Sequence, residues 1–166
     1  MTRFHRPAAR PQPDQVPKFW RPRLEESRQI TCQIIHWDLV TSFTTGSATV
    51  KELWDWIETG FTYLEMMRLL ILDGVDFPEA DQLAMNAQIE SYDGVIARYR
   101  QTQRVGFSGP ELAIARAAAR VMDDLIKKDR HGIADRAALF SMTQMRSLWA
   151  TGKCVLITKT KKRKKS

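Results

Sequence analysis

Three times along the chain, a side chain that can accept a hydrogen bond stands three residues before a glutamate. The pairs are Thr49 and Glu52, Asp76 and Glu79, and Ser108 and Glu111. This is the spacing of a capping box, in which the first residue accepts from the helix's third N–H and the glutamate reaches back to the cap. Pro78 and Pro110 fall just inside two of these starts, where a missing N–H costs nothing. Gly74 and Gly132 fall where a left-handed residue would end the preceding segments, and Lys127, Lys128 and Arg130 suit the negative end of a helix dipole. Punctuation of this kind commits the chain to helices.

The apolar spacing agrees. Met85, Ile89, Tyr92, Ile96 and Tyr99 recur at intervals of three and four, as do Leu112, Ala115, Ala119, Met122 and Ile126. Ala115, Ala118 and Ala119 form a small face that allows a neighbouring helix to approach closely. Helices are therefore predicted at about 23–44, 49–73, 77–102, 109–130 and 133–150. The first also carries β-branched residues suited to a strand (Ile30, Thr31, Ile34, Ile35, Val40 and Thr41), but no second strong strand exists to pair with it. A short strand-like run occurs at Lys153–Lys159.

Five of the seven prolines lie within residues 1–22, which excludes a helix before about Arg23. The expected architecture is all-α: a compact bundle of four or five helices over 23–150. A Pro-rich extended arm (1–22) precedes it, and a basic tail (151–166), expected to be disordered, follows it. The expected core is Trp54, Ile57, Phe61, Leu64, Met67, Leu70, Ile96, Tyr99, Met122, Ile126, Phe140 and Leu148. At 43% hydrophobic the chain can bury such a core.

The formal charge of +7 is unevenly placed. Residues 1–30 carry seven basic and three acidic side chains, and residues 31–97 carry two (Lys51 and Arg68) against 11 acids. Residues 98–150 carry ten basic side chains against five acids, and 151–166 carry seven basic and none acidic. A phosphate-bearing partner is thus expected to meet the C-terminal half and to be repelled by the first half of the body.

Two stretches invite a helix-turn-helix reading. Residues 56–69 place Gly60 at the turn, but Trp56 is too bulky for a close crossing and Phe61–Leu72 is apolar nearly all round, as buried helices are. Residues 133–149 place small Ala134, Ala137 and Ala138 at the crossing and Ser141 as a cap. Arg136, Gln144 and Arg146 could then reach a base or phosphate. The same residues also read as one continuous amphipathic helix, because no glycine marks a turn and Ser141 and Met145 fall one position late.

Catalytic signals are sparse. Cys32 and His36 share a helix face, yet two ligands do not make a metal site. Asp123 and Asp124 are adjacent and diverge on a helix, and no Gly-rich phosphate loop or nucleophile elbow is present. Neither an enzyme activity, a metal nor a cofactor is expected. Two distant cysteines, Cys32 and Cys154, suit a reducing compartment, and no apolar run reaches the ~18 residues of a membrane span.

The leading expectation is a small intracellular DNA-interacting regulatory or accessory protein, cytoplasmic, or nuclear in a eukaryote. Lys153, Lys159, Lys161, Lys162, Arg163, Lys164 and Lys165 would grip phosphates, with Arg136, Gln144 and Arg146 fixing position. The alternative is a protein-interaction or dimerisation module that uses the acidic, aromatic-rich half. Trp20, Trp56 and Tyr63 are its candidate contacts. Phe19 and Trp20, set between Lys18 and Arg21, either dock the arm on the body or stack on nucleic acid.

Overall fold

The computed structural model describes residues 24–151, which form five helices and no strand: α1 (Glu26–Thr45), α2 (Val50–Leu72), α3 (Glu79–Thr102), α4 (Gly109–Lys127) and α5 (Ile133–Thr151). The expected helical bundle is present. The arm, the tail and the run at 153–159 lie outside the described residues. α2 is the central helix, packed by α5 and α3 and touched by α1 and α4, and α4 is clasped between α1 and α3.

Two of the three cap signatures form. Thr49 and Ser108 each accept from the N3 backbone N–H, while Glu52 and Glu111 accept from the cap backbone in return. Glu111 also takes a 2.6 Å ion pair from Arg98, whose other guanidinium nitrogen donates to the Gly106 carbonyl, so one carboxylate fastens α3 to the start of α4. The third signature does not form. α3 starts at Glu79 with Pro78 as its N-cap and no side-chain cap bond. Proline disfavours helical backbone at the residue before it, so Phe77 is held outside the helix. It is buried there, with the Lys128 ammonium over its ring.

α1 is helical despite its β-branched residues. Its threonine hydroxyls turn inward on the helix, Thr31 to the Ser27 carbonyl, Thr41 to Trp37 and Thr44 to Val40, which consumes their hydrogen-bonding capacity locally. Its core side is His36, Leu39, Val40 and Phe43. α4 buries the small face expected of it, Ala115, Ala118 and Ala119, together with Met122 and Ile126.

Neither helix-turn-helix is present. α2 runs unbroken through Gly60, and α5 runs unbroken through Ser141. Gly60 answers to a packing need instead, because a Cβ there would lie 1.7 Å from the Tyr92 hydroxyl of α3. Ser141 is buried and donates to the Ala138 carbonyl within the helix, so it caps nothing. Glu65, in the second half of the 56–69 candidate, is buried and held by two 2.6 Å bonds from Arg68.

Of the expected core, Ile57, Phe61, Met67, Leu70, Ile96, Met122, Ile126 and Leu148 are buried. Trp54, Leu64 and Tyr99 pack against it half-buried, and Phe140 is half-buried on α5. Trp56 and Tyr63, expected to meet a partner, are core residues at 1% and 6% exposure. Trp56 packs its ring near Phe43 and Phe107, which removes it from any contact surface.

Candidate functional site

α1 and α5 both pack on α2, and between them lies a groove of about 400 Å3. Its shape follows from residue size. α5 presents Ala134, Ala138 and Ser141, α2 presents Thr59 and Thr62, and side chains this small leave a channel between the helices. Ile35 on one wall and Met142 on the other stand about half exposed at the mouth. Asp55, Glu58 and Asp135 line the same groove with one cation, Arg28, so the lining is net acidic, with Asp55 itself ion-paired to Lys51 at 2.5 Å. Arg28 and Asp135 approach to only 4.0 Å with both side chains mostly exposed, a weak pair in water.

Asp129 ties together two of the residues that line the groove, Leu24 and Ala134. It is buried, and its two carboxylate oxygens accept from the Leu24 N–H at 2.8 Å and from the Ala134 N–H at 2.9 Å. One side chain thereby ties the entry to α1 to the first turn of α5. The linker it sits in turns through left-handed backbone at His131 and Gly132. Asp129 is thus a structural anchor that links two elements 105 residues apart at its far contact.

Beside the groove is a polar knot. His36 is fully buried and shares a 2.9 Å hydrogen bond between Nε2 and Asp123 of α4, whose second oxygen accepts from the Trp37 indole at 2.9 Å. The Tyr63 ring meets the His36 ring edge-on, 5.8 Å away. With Nε2–H donating to the carboxylate, Nδ1 is an acceptor, and it has no partner among the described residues. Burial pushes the His36 pKa below 6.5 against the opposing pull of Asp123. It also raises the Cys32 thiol and the Tyr63 phenol, keeping both protonated at neutral pH. A nucleophile bonded to the His36 nitrogen, which acyl transfer would need, does not occur among the described residues. Nor does any group of three His, Cys, Asp or Glu side chains able to hold a metal.

The knot sets a pH response. The folded state holds His36 below its ordinary pKa of 6.5, so the unfolded chain binds the extra proton first as the solution acidifies. Stability is therefore present above pH ~6.5 and falls as pH drops below that value toward the folded pKa. The groups facing His36 are Cys32 on its own helix, Asp123 on α4 and Tyr63 on α2. Melting temperatures from pH 8 to 5 should fall in the wild type and flatten in His36→Gln, whose amide can still donate to Asp123.

The residues expected to contact nucleic acid are not gathered on one surface. Arg136 is half-buried in a small cleft with Leu69, Asp73 and His131. Gln144 is half-buried and Arg146 exposed, and residues two apart project to opposite sides of a helix. The tail cations and Trp20 lie outside the described residues. A basic pair does exist on another helix. Arg116 and Arg120 are exposed on α4 one turn apart, and the next position on that face is Asp124, ion-paired with Lys127 at 3.5 Å. Neither the groove mouth at Ile35 and Met142 nor this pair is apparent from the sequence. The β-branched residues of α1 are a misleading signal: only Val40 among them enters the core, while Ile30, Ile34 and Ile35 stand about half exposed on the helix.

The chain matches no protein-family model, no curated protein and no solved structure. No helix of the described residues is long and apolar enough to cross a membrane.

Proposed function

We propose that the protein is a helical interaction module whose α1–α2–α5 groove receives a positively charged, apolar segment of a protein partner. The observation that carries this reading is the groove itself: an apolar channel with half-exposed Ile35 and Met142 at its mouth and Asp55, Glu58 and Asp135 along it. Apolar surface supplies affinity there, and the acids select a cationic segment and reject an acidic one. Groove-facing Met142 is 47% exposed, so a charge at that position blocks entry without entering the core. Peptides in which Lys or Arg flanks aromatic residues should bind, and Met142→Lys should weaken them at least 10-fold at unchanged melting temperature. Equal binding of an acidic aromatic peptide, or no effect of Met142→Lys, would count against the groove.

A second reading, phosphate binding to DNA or RNA, keeps support from the α4 pair and from the seven cations of residues 151–166. Each cation removed from a phosphate should lower the slope of log affinity against log salt by about 0.9 on duplex DNA. Arg116→Glu with Arg120→Glu should then lower the slope by about 2, and truncation to residues 1–152 by more. Coincident salt curves for full-length and truncated protein would exclude the tail as the phosphate grip.

A further inference from the structure

We propose that the segment Lys18-Phe19-Trp20-Arg21 of this chain occupies the α1–α2–α5 groove in cis and competes there with the partner's segment. The inference rests on the reading that the groove takes a cationic apolar segment. Residues 1–23 lie outside the described residues, which begin at Leu24.

The first described residue, Leu24, is buried, is pinned through its N–H to Asp129, and itself lines the groove. Trp20 stands four residues earlier, within reach of about 14 Å of extended chain. The groove, from Arg28 to Ile35 along α1, is about 10 Å long at the helical rise. A fully extended stretch therefore carries Trp20 along most of the groove from Leu24. Pro22, between the two, blocks helix and favours the extended backbone that such a return requires.

The chemistry matches on two counts. Phe19 and Trp20 are large apolar groups for a channel lined by Ala134, Ala138 and Met142. Lys18, Arg21 and Arg23 complement Glu58 and Asp135. A second copy of the chain offers the same groups, but a tether of four residues holds the cis segment at an effective concentration on the order of mM, which a second copy does not reach in dilute solution.

Two measurements on the full-length chain decide it. The first is the rate of trypsin cleavage after Lys18, with the bond after Arg3 as internal reference. Docking should slow the inner cut at least 10-fold relative to the reference, and Met142→Lys should abolish that protection. The second is the affinity of a peptide with Lys and Arg flanking aromatic residues. Trp20→Asp should raise it about 10-fold by emptying the groove. Cleavage at equal rates together with unchanged peptide affinity would overturn cis docking while leaving the interaction reading intact. Protection that Met142→Lys removes, with no peptide bound by either wild type or Trp20→Asp, would overturn the partner reading and leave the arm as the groove's own occupant. Loss of protection only at micromolar dilution would assign the groove to a second copy and overturn the cis assignment.

Discussion

Gly60→Ala is expected to destabilise the protein by about 3 kcal/mol, the upper range for forcing extra volume into a packed core. In an ordinary helix interior the same change stabilises by up to about 1 kcal/mol, because alanine gives up less backbone freedom. Here the added Cβ would lie 1.7 Å from the Tyr92 hydroxyl, 2.9 Å from the ring carbon bearing it and 2.8 Å from the Gln88 amide nitrogen. Tyr92 cannot swing aside cheaply. Its hydroxyl donates to the Trp56 carbonyl at 3.2 Å and accepts from Gln88 at 2.7 Å, and its ring meets Phe61 edge-on. Tyr92→Phe alone should cost about 1–2 kcal/mol by stranding the buried Gln88 amide. In that background the closest clash is gone, so Gly60→Ala should cost at least about 1 kcal/mol less than in the wild type. Urea denaturation of the four proteins measures the coupling. A neutral or stabilising Gly60→Ala would mean that α2 and α3 do not cross at this point.

Gly60 also shows what a sequence can and cannot disclose. A glycine amid apolar residues reads as a turn because φ freedom is a local property, visible in one dimension. The reason for this glycine is Tyr92, 32 positions away, and only the crossing of two helices brings it near. Local features were legible for that reason: the caps at Thr49 and Ser108, the small face at Ala115–Ala119 and the left-handed glycines Gly74 and Gly132. Trp56 and Tyr63 were misplaced because aromatic density in an acidic stretch does not say which side of a helix each residue takes. The groove was illegible because it consists of what three helices leave unfilled. Its walls are alanines and threonines that carry no signal individually. Asp123 reads as a surface acid beside Asp124, yet it holds His36 and Trp37 from 87 and 86 positions away.

The counterpart to Gly60 at the groove is Asp129, where removal rather than addition should do the damage. Asp129→Ala is expected to cost about 3 kcal/mol. Two charge-assisted hydrogen bonds vanish, and two N–H groups next to a buried site are left without an acceptor. The neighbouring linker has little freedom to supply a substitute, since α4 and α5 are separated by only five residues that already turn through left-handed backbone at His131 and Gly132. Asp129→Asn keeps one good acceptor and turns an amide N–H₂ toward the other donor, so it should fall between alanine and wild type. The loss should also be local before it is global. Hydrogen exchange at the Leu24 and Ala134 amides should accelerate well beyond the change at Leu53 or Met122, which sit in the core on α2 and α4. Because Leu24 lines the groove, the same substitution should lower affinity for a cationic aromatic peptide even under conditions where the bundle stays folded. Uniform acceleration at all four amides would show instead that Asp129 contributes to global stability without anchoring the junction of α1 and α5.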